Sequence, residues 1–407
     1  MPDLPRVVAP ADPRGLIAPM TAVNAPSSAG DTQERSTPFR FYDNRQKYLA
    51  FVNTCNEKSA IARRAADELR NIKPTPPALR IFDAGMGDGT VLAGLMRATH
   101  RMHPTVPVLV VAKEISLEDV RLGLEKVPDR LIEHPATVVV ITNLNYSEAP
   151  RLMPRSVHDA AALNWQEVGL TGTTAHEYAE QIQDLAPALA HGWQTKTSEK
   201  TGNPVYERPS VLVLYREDHR FLLDDVIPRP GRSFECYDMV VASQPWRARM
   251  SAKFKAQKVL APLAHNLAPG GRLLAIQSYG RDAGLEIVQR LWPDENPFQV
   301  DRHQLLAALR DELGRDARNY TLAARPDDKA VFRYHMHTLP SEIGDRIGTS
   351  TLFAAWNAAI YVNQIEDERL DAVIAGNNYL EATQSVLQKH GGLWFNDETF
   401  VVVNRRP

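Results

Sequence analysis

The sequence has few cysteines, no long hydrophobic run and almost no net charge. Its two cysteines among 407 residues, Cys55 and Cys236, match no disulfide or metal-site spacing, so we expect reduced thiols and no metal centre. No apolar run approaches the length of a membrane span, and the first residues lack the basic-then-apolar order of a signal peptide. A formal net charge of −2 excludes a global basic field for nucleic acid. We therefore expect a soluble, cytoplasmic protein.

The order of elements along the chain predicts four parts. Residues 1–36, rich in Pro, Ala and Ser without periodicity, predict a disordered tail. Residues 37–78 predict a helical cap. Strand and helix patterns alternate over residues 79–146 and 237–407, and residues 147–236 form an insertion between the third and fourth strands. This alternation predicts an α/β core with a doubly wound, mostly parallel sheet, and substrate-side elements in the C-terminal third.

Local patterns locate individual elements. Thr54 and Glu57 have the spacing of a capping box, which predicts a helix over residues 55–72. Short β-branched runs predict the strands of the core. Those strands are expected at residues 79–83, 108–113, 137–142, 237–242 and 272–277.

The glycine-rich turn after the first strand is the most informative motif. Gly85, Gly87 and Gly89 stand at alternate positions between that strand and a helix, which is the geometry of a nucleotide-binding turn. Asp83 and Asp88 place two carboxylates there, where they would repel a pyrophosphate. A ligand with a cationic, phosphate-free end fits better. S-adenosylmethionine, with its ammonium and sulfonium, is such a ligand.

Polar residues follow the next strands. Glu114 ends the second strand, at a position where a carboxylate binds ribose hydroxyls, although a helix-capping role is the alternative. Asn143 ends the third strand and either reads an adenine edge or closes a turn. Ser243, Gln244 and Trp246 follow the fourth strand, where the reacting end of a ligand is expected. An aromatic face there favours a cation, and simple packing of the tryptophan is the alternative.

These motifs, with the Ala-Pro-Gly-Gly turn before the fifth strand, resemble class I S-adenosylmethionine-dependent methyltransferases over about residues 38–292. The resemblance implies a Rossmann-like, seven-stranded sheet with an antiparallel edge strand. It also implies that the glycine turn holds the methionine end, that Glu114 binds the ribose, and that Tyr42 closes over the cofactor. The cofactor-binding residues implied are Tyr42, Asp83, Gly85, Met86, Gly87, Asp88, Gly89, Glu114, Ile115, Asn143, Ser243 and Gln244.

The sequence departs from the family at the acceptor side. Members that methylate planar nitrogens have Asn or Asp, then Pro-Pro and an aromatic residue after the fourth strand, whereas this chain has Ser-Gln-Pro-Trp. His335 and His337 alternate on a predicted strand and so share one face. They are candidates for a base or a substrate clamp, with Trp246 as a third catalytic candidate. The alternative is that the two histidines are polar residues on a half-exposed strand face, without a role in the reaction.

The function expected is methyl transfer to a nitrogen or oxygen of a small-molecule acceptor. Nucleic acid and membrane are not expected partners, and a homodimer stays open. Three alternatives also stay open: transfer of the aminopropyl or aminocarboxypropyl arm, a protein or nucleic-acid methyltransferase, and a catalytically degenerate partner subunit that binds the cofactor.

Overall fold

The computed structural model describes residues 45–199, 204–232, 236–338, 340–344, 346–376 and 378–406. These residues belong to one compact unit. Tyr42 and the predicted tail lie outside the described residues. Within those ranges, every helix is too short or too polar to cross a bilayer.

The strands lie mostly in one large sheet, with a separate two-stranded hairpin. In chain order β1 to β12 are Leu79–Asp83, Val108–Lys113, Thr137–Thr142, Asn164–Leu170, Thr195–Thr197, Pro204–Tyr206, Ser210–Arg216, Tyr237–Ser243, Leu267–Ser278, Tyr320–Ala323, Val331–His335 and Trp394–Asn404.

The α-helices follow the alternation that the sequence predicts. In chain order α1 to α17 are Arg45–Thr54, Glu57–Leu69, Thr90–Met102, Leu117–Leu124, Val127–Glu133, Val157–Ala161, Ala175–Gln183, Ala186–Gly192, Arg220–Leu223, Ala252–Lys255, Ala261–Ala264, Ala283–Leu291, Arg302–Leu313, Asp327–Ala330, Thr349–Val362, Asp367–Gly376 and Asn378–His390. A π-helical segment, Ala256–Leu260, joins α10 to α11.

The sheet confirms the Rossmann-like, doubly wound fold. Its order is β10-β12-β9-β8-β1-β2-β3-β7-β4, and β11 also pairs with β12. The five neighbouring strands β3, β2, β1, β8 and β9 are parallel to one another. Strand β12 runs antiparallel to both of its neighbours, β9 and β10. These seven strands form the predicted core with its antiparallel edge. The insertion then extends the sheet, because β7 pairs antiparallel with β3 and β4 pairs parallel with β7.

Both faces of the central strands are buried, which explains their continuous β-branched runs. One hydrophobic cluster joins Val111 and Val240 to the helices that follow β8, and another joins Val110 and Met239 to α2, α3 and α5. A third cluster packs α1, α12, α15 and α17 around Phe395 of β12. Helices thus cover both sides of the sheet, and the ligand-binding ends of the parallel strands remain at one edge.

Two local predictions differ from the structure. Thr54 ends α1, where its hydroxyl donates to the carbonyl of Ala50, and α2 begins at Glu57 after Asn56, so the predicted capping box is wrong. The Ala-Pro-Gly-Gly sequence lies inside β9 rather than before it. The register between β8 and β9 shifts nearby, and Gly270 has a φ of +74°, a conformation that glycine adopts without strain.

Candidate functional site

A cavity of about 770 Å³ opens at the carboxyl ends of β1, β2 and β8. This is the point where the strand order reverses, and doubly wound sheets bind ligands there. The residues that line it are Arg45, Tyr48, Lys58, Gly85, Gly87, Lys113, Glu114, Ile115, Ser116, Leu117, Glu118, Asp119, Arg121, Tyr146, Pro204, Ser243, Gln244, Pro245, Trp246, Arg247, Met250, Phe254, Lys258, Val259 and Tyr361.

The glycine turn forms one wall of this cavity. A side chain at Gly85 would meet only the Ser243 carbonyl at 3.9 Å, so the bare backbone faces open space. Gly89 has a φ of +77° and precedes α3, and a Cβ there would lie 2.6 Å from the Cα of Gly123 on α4. Gly87 likewise has a φ of +53°. The turn therefore needs glycine both for its backbone conformation and for the close approach of α4.

The two aspartates of the turn have different surroundings. Asp83 is 2% exposed and accepts the N–H of Gly85, and burial raises the pKa of its carboxyl from 3.8 to about 6. Asp88 instead accepts the N–H and hydroxyl of Thr90 at the start of α3, and its carboxylate lies 3.8 Å from Lys126. Asp88 is thus held by Thr90 and Lys126 and Asp83 by Gly85, and neither aspartate is among the residues that line the cavity, so their contact with a ligand stays a prediction.

Glu114 closes the turn from the neighbouring strand. One carboxylate oxygen accepts the N–H of Gly87 at 2.8 Å, and the other accepts those of Ile115 and Ser116 at 2.7 and 2.9 Å. A carboxylate can accept about four hydrogen bonds, so one position remains for a ligand hydroxyl. Glu114 and Ile115 both line the cavity, and the contact of Glu114 with a ribose stays a prediction.

The loop after β8 forms the opposite wall. Gln244 has a φ of +49°, and its side-chain amide donates to Asp397 and accepts from the N–H of Ser278. Trp246 is 6% exposed, and its indole N–H donates to Gln277 at 3.0 Å. These bonds hold the loop in one conformation, in which Gln244 still lines the cavity.

Two oxygens of the lining are buried without a hydrogen-bond partner among the described residues. They are Oδ1 of Asp119 and Oγ of Ser243. A buried polar atom left unpaired costs about 1–3 kcal/mol, so each favours a ligand that supplies a donor. Burial, aided by the nearby Glu114 carboxylate, raises the pKa of Asp119 to about 6.

Sequence reasoning missed Tyr48 and Lys58, which α1 and α2 bring to the cavity near Tyr361 of α15. The Tyr48 hydroxyl accepts the N–H of Asp88, and the Tyr48 and Tyr361 rings lie 6.0 Å apart. The Lys58 ammonium lies 5.5 Å from the Tyr48 ring centroid and 3.4 Å from a carboxylate oxygen of Glu57. The aromatic-rich segment around Tyr48 was a usable signal, whereas no motif in the sequence marks Lys58 or Tyr361.

Asn143 makes structural hydrogen bonds, which favours the alternative that it closes the end of β3 and gives its predicted contact with adenine no support. Its amide group donates to the carbonyls of Gly192 and Arg208, and its oxygen accepts the N–H of Ser210 at 2.8 Å. The side chain is 1% exposed, so these bonds leave little of it for a ligand. Asn143 fastens the insertion to the end of β3.

His335 ends β11 and His337 lies just beyond it, and both are exposed to solvent, whereas their neighbours Tyr334 and Met336 are buried. Their backbone N–H groups bond to the segment between α1 and α2, and neither residue lines the described cavity. These positions favour the alternative of polar residues on an exposed strand face, and the catalytic role of the two histidines stays a prediction without support from the cavity.

Met86, a further predicted contact, is 3% exposed and packs beneath the turn against Gly123. It supports the shape of the turn and does not line the cavity described above. Across the described ranges, no group of three His, Cys, Asp or Glu side chains is placed to hold a metal ion.

Comparisons with known proteins find likeness at the level of structure. No protein-family model and no curated protein matches the sequence. A geranyl diphosphate methyltransferase solved with GPP and sinefungin has 12% identity and a TM-score of 0.32, with 86% of this chain and 78% of that chain covered. A cyclopropane synthase from Mycobacterium tuberculosis has 12% identity and a TM-score of 0.30, with 84% and 83% covered.

A third solved structure is a phosphoethanolamine N-methyltransferase from Haemonchus contortus in complex with S-adenosyl-L-methionine. It has 11% identity and a TM-score of 0.29, with 86% of this chain and 53% of that chain covered. At such identities and TM-scores, the function has to be inferred from the site itself. The strand order and the acidic glycine turn at its switch point give this chain a Rossmann-like, doubly wound fold with a ligand site at that edge of the sheet.

Proposed function

We propose that the protein is an S-adenosylmethionine-dependent methyltransferase that acts on a nitrogen or oxygen of a small-molecule acceptor. The observation that carries the proposal is the joint position of Lys58, Glu114 and the bare Gly85 backbone at one end of the cavity, where the buried Asp83 carboxylate accepts the N–H of Gly85. The cavity volume of about 770 Å³ lies within the usual range of small-molecule sites, about 300–1,000 Å³.

The residues present fit this cofactor. The Asp83 carboxyl would bind the ammonium group, and the Lys58 ammonium would pair with the carboxylate of the methionine end. The free acceptor position of Glu114 suits a ribose hydroxyl. The unpaired oxygens of Asp119 and Ser243 suit the remaining donors of a nucleoside. A dinucleotide fits less well, because its pyrophosphate would meet the Asp83 and Glu114 carboxylates.

When bound, the cofactor supplies a methyl group already activated on a sulfonium. The protein then has to exclude water and orient the acceptor behind that methyl group. Trp246 and Tyr361 contribute aromatic surface to the cavity, which favours a cationic ligand and displaces water. Phe254 and Met250 extend the apolar wall toward the opening.

Isothermal titration calorimetry tests the cofactor assignment. S-adenosylmethionine and S-adenosylhomocysteine should bind, and NAD should bind far more weakly. Glu114→Gln should weaken S-adenosylhomocysteine by about tenfold or more, because it removes a charged acceptor of ligand and backbone hydrogen bonds. The matched control is Glu125→Gln, an exposed carboxylate at the end of α4 that should leave the affinity unchanged. A preference for NAD would contradict the proposal.

Mass spectrometry of the products tests the reaction. A methyl gain on acceptors from a metabolite extract supports the proposal. A larger gain would identify transfer of the aminopropyl or aminocarboxypropyl arm. Tight cofactor binding without turnover of any small molecule would favour the degenerate partner subunit.

A further inference from the structure

On its acceptor side, the described lining of the cavity includes basic side chains and no acidic ones. The acidic lining residues, Glu114, Glu118 and Asp119, all lie at the end of β2 or on α4. The segments after β3 and β8 and the β6 hairpin contribute no carboxylate to the described lining. They contribute aromatic and apolar side chains together with Arg247 and Lys258.

Lys113 belongs to this acceptor side. Successive strand residues point to opposite faces, so Lys113 continues the face of Val111 and lies opposite to Glu114. Val111 packs in the same cluster as Trp246 and Val259 of the acceptor wall. Lys113 therefore enters the cavity from the face that carries the acceptor wall, away from the glycine turn.

The surroundings of Lys113 contain an aromatic ring and no paired anion. Its ammonium lies 5.0 Å from the Tyr146 ring centroid, and the Tyr146 hydroxyl donates to the Pro245 carbonyl at 3.1 Å. No ion pair of Lys113 with an acidic side chain occurs in the described part of the chain. Glu114, whose charge acts on Lys113, already accepts hydrogen bonds from three backbone N–H groups.

Burial lowers the pKa of Lys113, and the attraction of Glu114 opposes this only in part. A cation withdrawn from water without a counter-ion is unfavourable, and a ligand anion would relieve that cost. Lys258 of the π-helical segment lines the same cavity and is exposed. Its ammonium could therefore pair with a second negative charge of the ligand.

We propose that the acceptor carries an anionic group, a carboxylate or a phosphate, that binds the Lys113 ammonium beside Tyr146, with its apolar part against Trp246 and Phe254. This inference rests on the proposed function, because it assigns the acceptor class of that same cavity. It adds Lys113 as the residue that selects for charge and Lys258 as a secondary contact.

The test is calorimetric titration of benzoate, phenyl phosphate and neutral benzamide into the full-length protein, with and without saturating S-adenosylhomocysteine. We expect benzoate or phenyl phosphate to bind at least about tenfold more tightly than benzamide, the size of effect usual for a charged hydrogen bond. Benzoate alone would identify a carboxylate acceptor and phenyl phosphate alone a phosphate acceptor. Equal binding of benzamide, or no binding of either anion, would overturn the inference.

Variants connect the selectivity to the lysine. Lys113→Met should weaken the preferred anion by about tenfold and leave the affinity for S-adenosylhomocysteine unchanged. The matched control is Lys253→Met, because Lys253 is an exposed lysine on α10 outside the cavity lining. This control should change neither the affinity for the anion nor the affinity for S-adenosylhomocysteine. An unchanged anion affinity in Lys113→Met would overturn the inference. If that variant does not fold, the wild-type comparison of benzoate with benzamide still decides.

The two proposals fail separately. Absence of S-adenosylhomocysteine binding would contradict the proposed function. The titrations of benzoate, phenyl phosphate and benzamide without S-adenosylhomocysteine would still test the anion site. Binding of S-adenosylhomocysteine without any preference for anions would leave the methyltransferase proposal in place and remove the anionic acceptor.

Discussion

Replacing Asp83 by asparagine should stabilise the ligand-free protein and weaken its binding of the cofactor. Asp83 is 2% exposed, and its pKa is raised from 3.8 to about 6, first because burial disfavours the ionised form and further because of the Glu114 carboxylate. The N–H of Gly85 and the charge of Lys58 oppose this rise. Asparagine keeps an oxygen for the Gly85 N–H without the charge.

The magnitude follows from the shift. Each pKa unit corresponds to about 1.4 kcal/mol, so the ionised Asp83 costs about 3 kcal/mol of unfolding free energy. The folded-state pKa is raised, so stability is complete below the unfolded-state pKa and is lost as the pH rises from about 4 through about 6. Asp83→Asn should therefore be more stable than wild type by about 3 kcal/mol near pH 8 and by about half of that near pH 5.

Urea unfolding at the two pH values measures this difference. Asp88→Asn is the control, because its carboxylate bonds to Thr90 and lies near Lys126, and its replacement should destabilise the protein at both. In calorimetry, wild-type affinity for S-adenosylhomocysteine should fall about tenfold for each pH unit below about 6, because the ligand ammonium needs ionised Asp83. A less stable Asp83→Asn near pH 8, or one with full affinity, would refute the reasoning.

Three further predictions concern the turn, the insertion and the edge strand. Gly89→Ala should lower the unfolding free energy by about 2 kcal/mol or more in urea, since a Cβ would clash with Gly123 at a φ of +77°. Asn143→Ala should cost about 3 kcal/mol in the same assay, because three buried hydrogen bonds are lost, while the folded variant keeps its cofactor affinity. His335→Ala and His337→Ala should leave methyl-transfer rates unchanged, because both side chains face solvent.

The controls for these changes come from the same chain. Gly314 also has a positive φ, +53°, but a Cβ there would meet nothing within 4 Å, so Gly314→Ala should cost only the backbone strain of about 1 kcal/mol. Equal losses at Gly89 and Gly314 would contradict the steric account of the turn. A large drop in the methyl-transfer rate of either histidine variant would support a catalytic role for that histidine.

Much of the fold could be predicted because its signals are local. The β-branched runs of β2 and β3 and the Asp-x-Gly-x-Gly-x-Gly turn depend only on near neighbours in the chain. Their roles in the site, however, depend on partners that are distant in sequence. Asp88 was predicted to face the ligand, but Lys126, 38 residues away, lies beside it. Asn143 was predicted to read adenine, but the backbone N–H of Ser210, 67 residues away, donates to its amide oxygen.

The sequence by itself determined the class of fold and the position of the acidic turn, because both follow from residue types within a few positions of each other. Only the tertiary structure decided which side chains share the cavity. It brought Tyr48, Lys58 and Tyr361 beside the turn, placed the two histidines in solvent, and left Lys113 without a paired carboxylate. The physical reason is that burial, ion pairing and unsatisfied polar atoms depend on how distant segments pack, which no local pattern in the chain records.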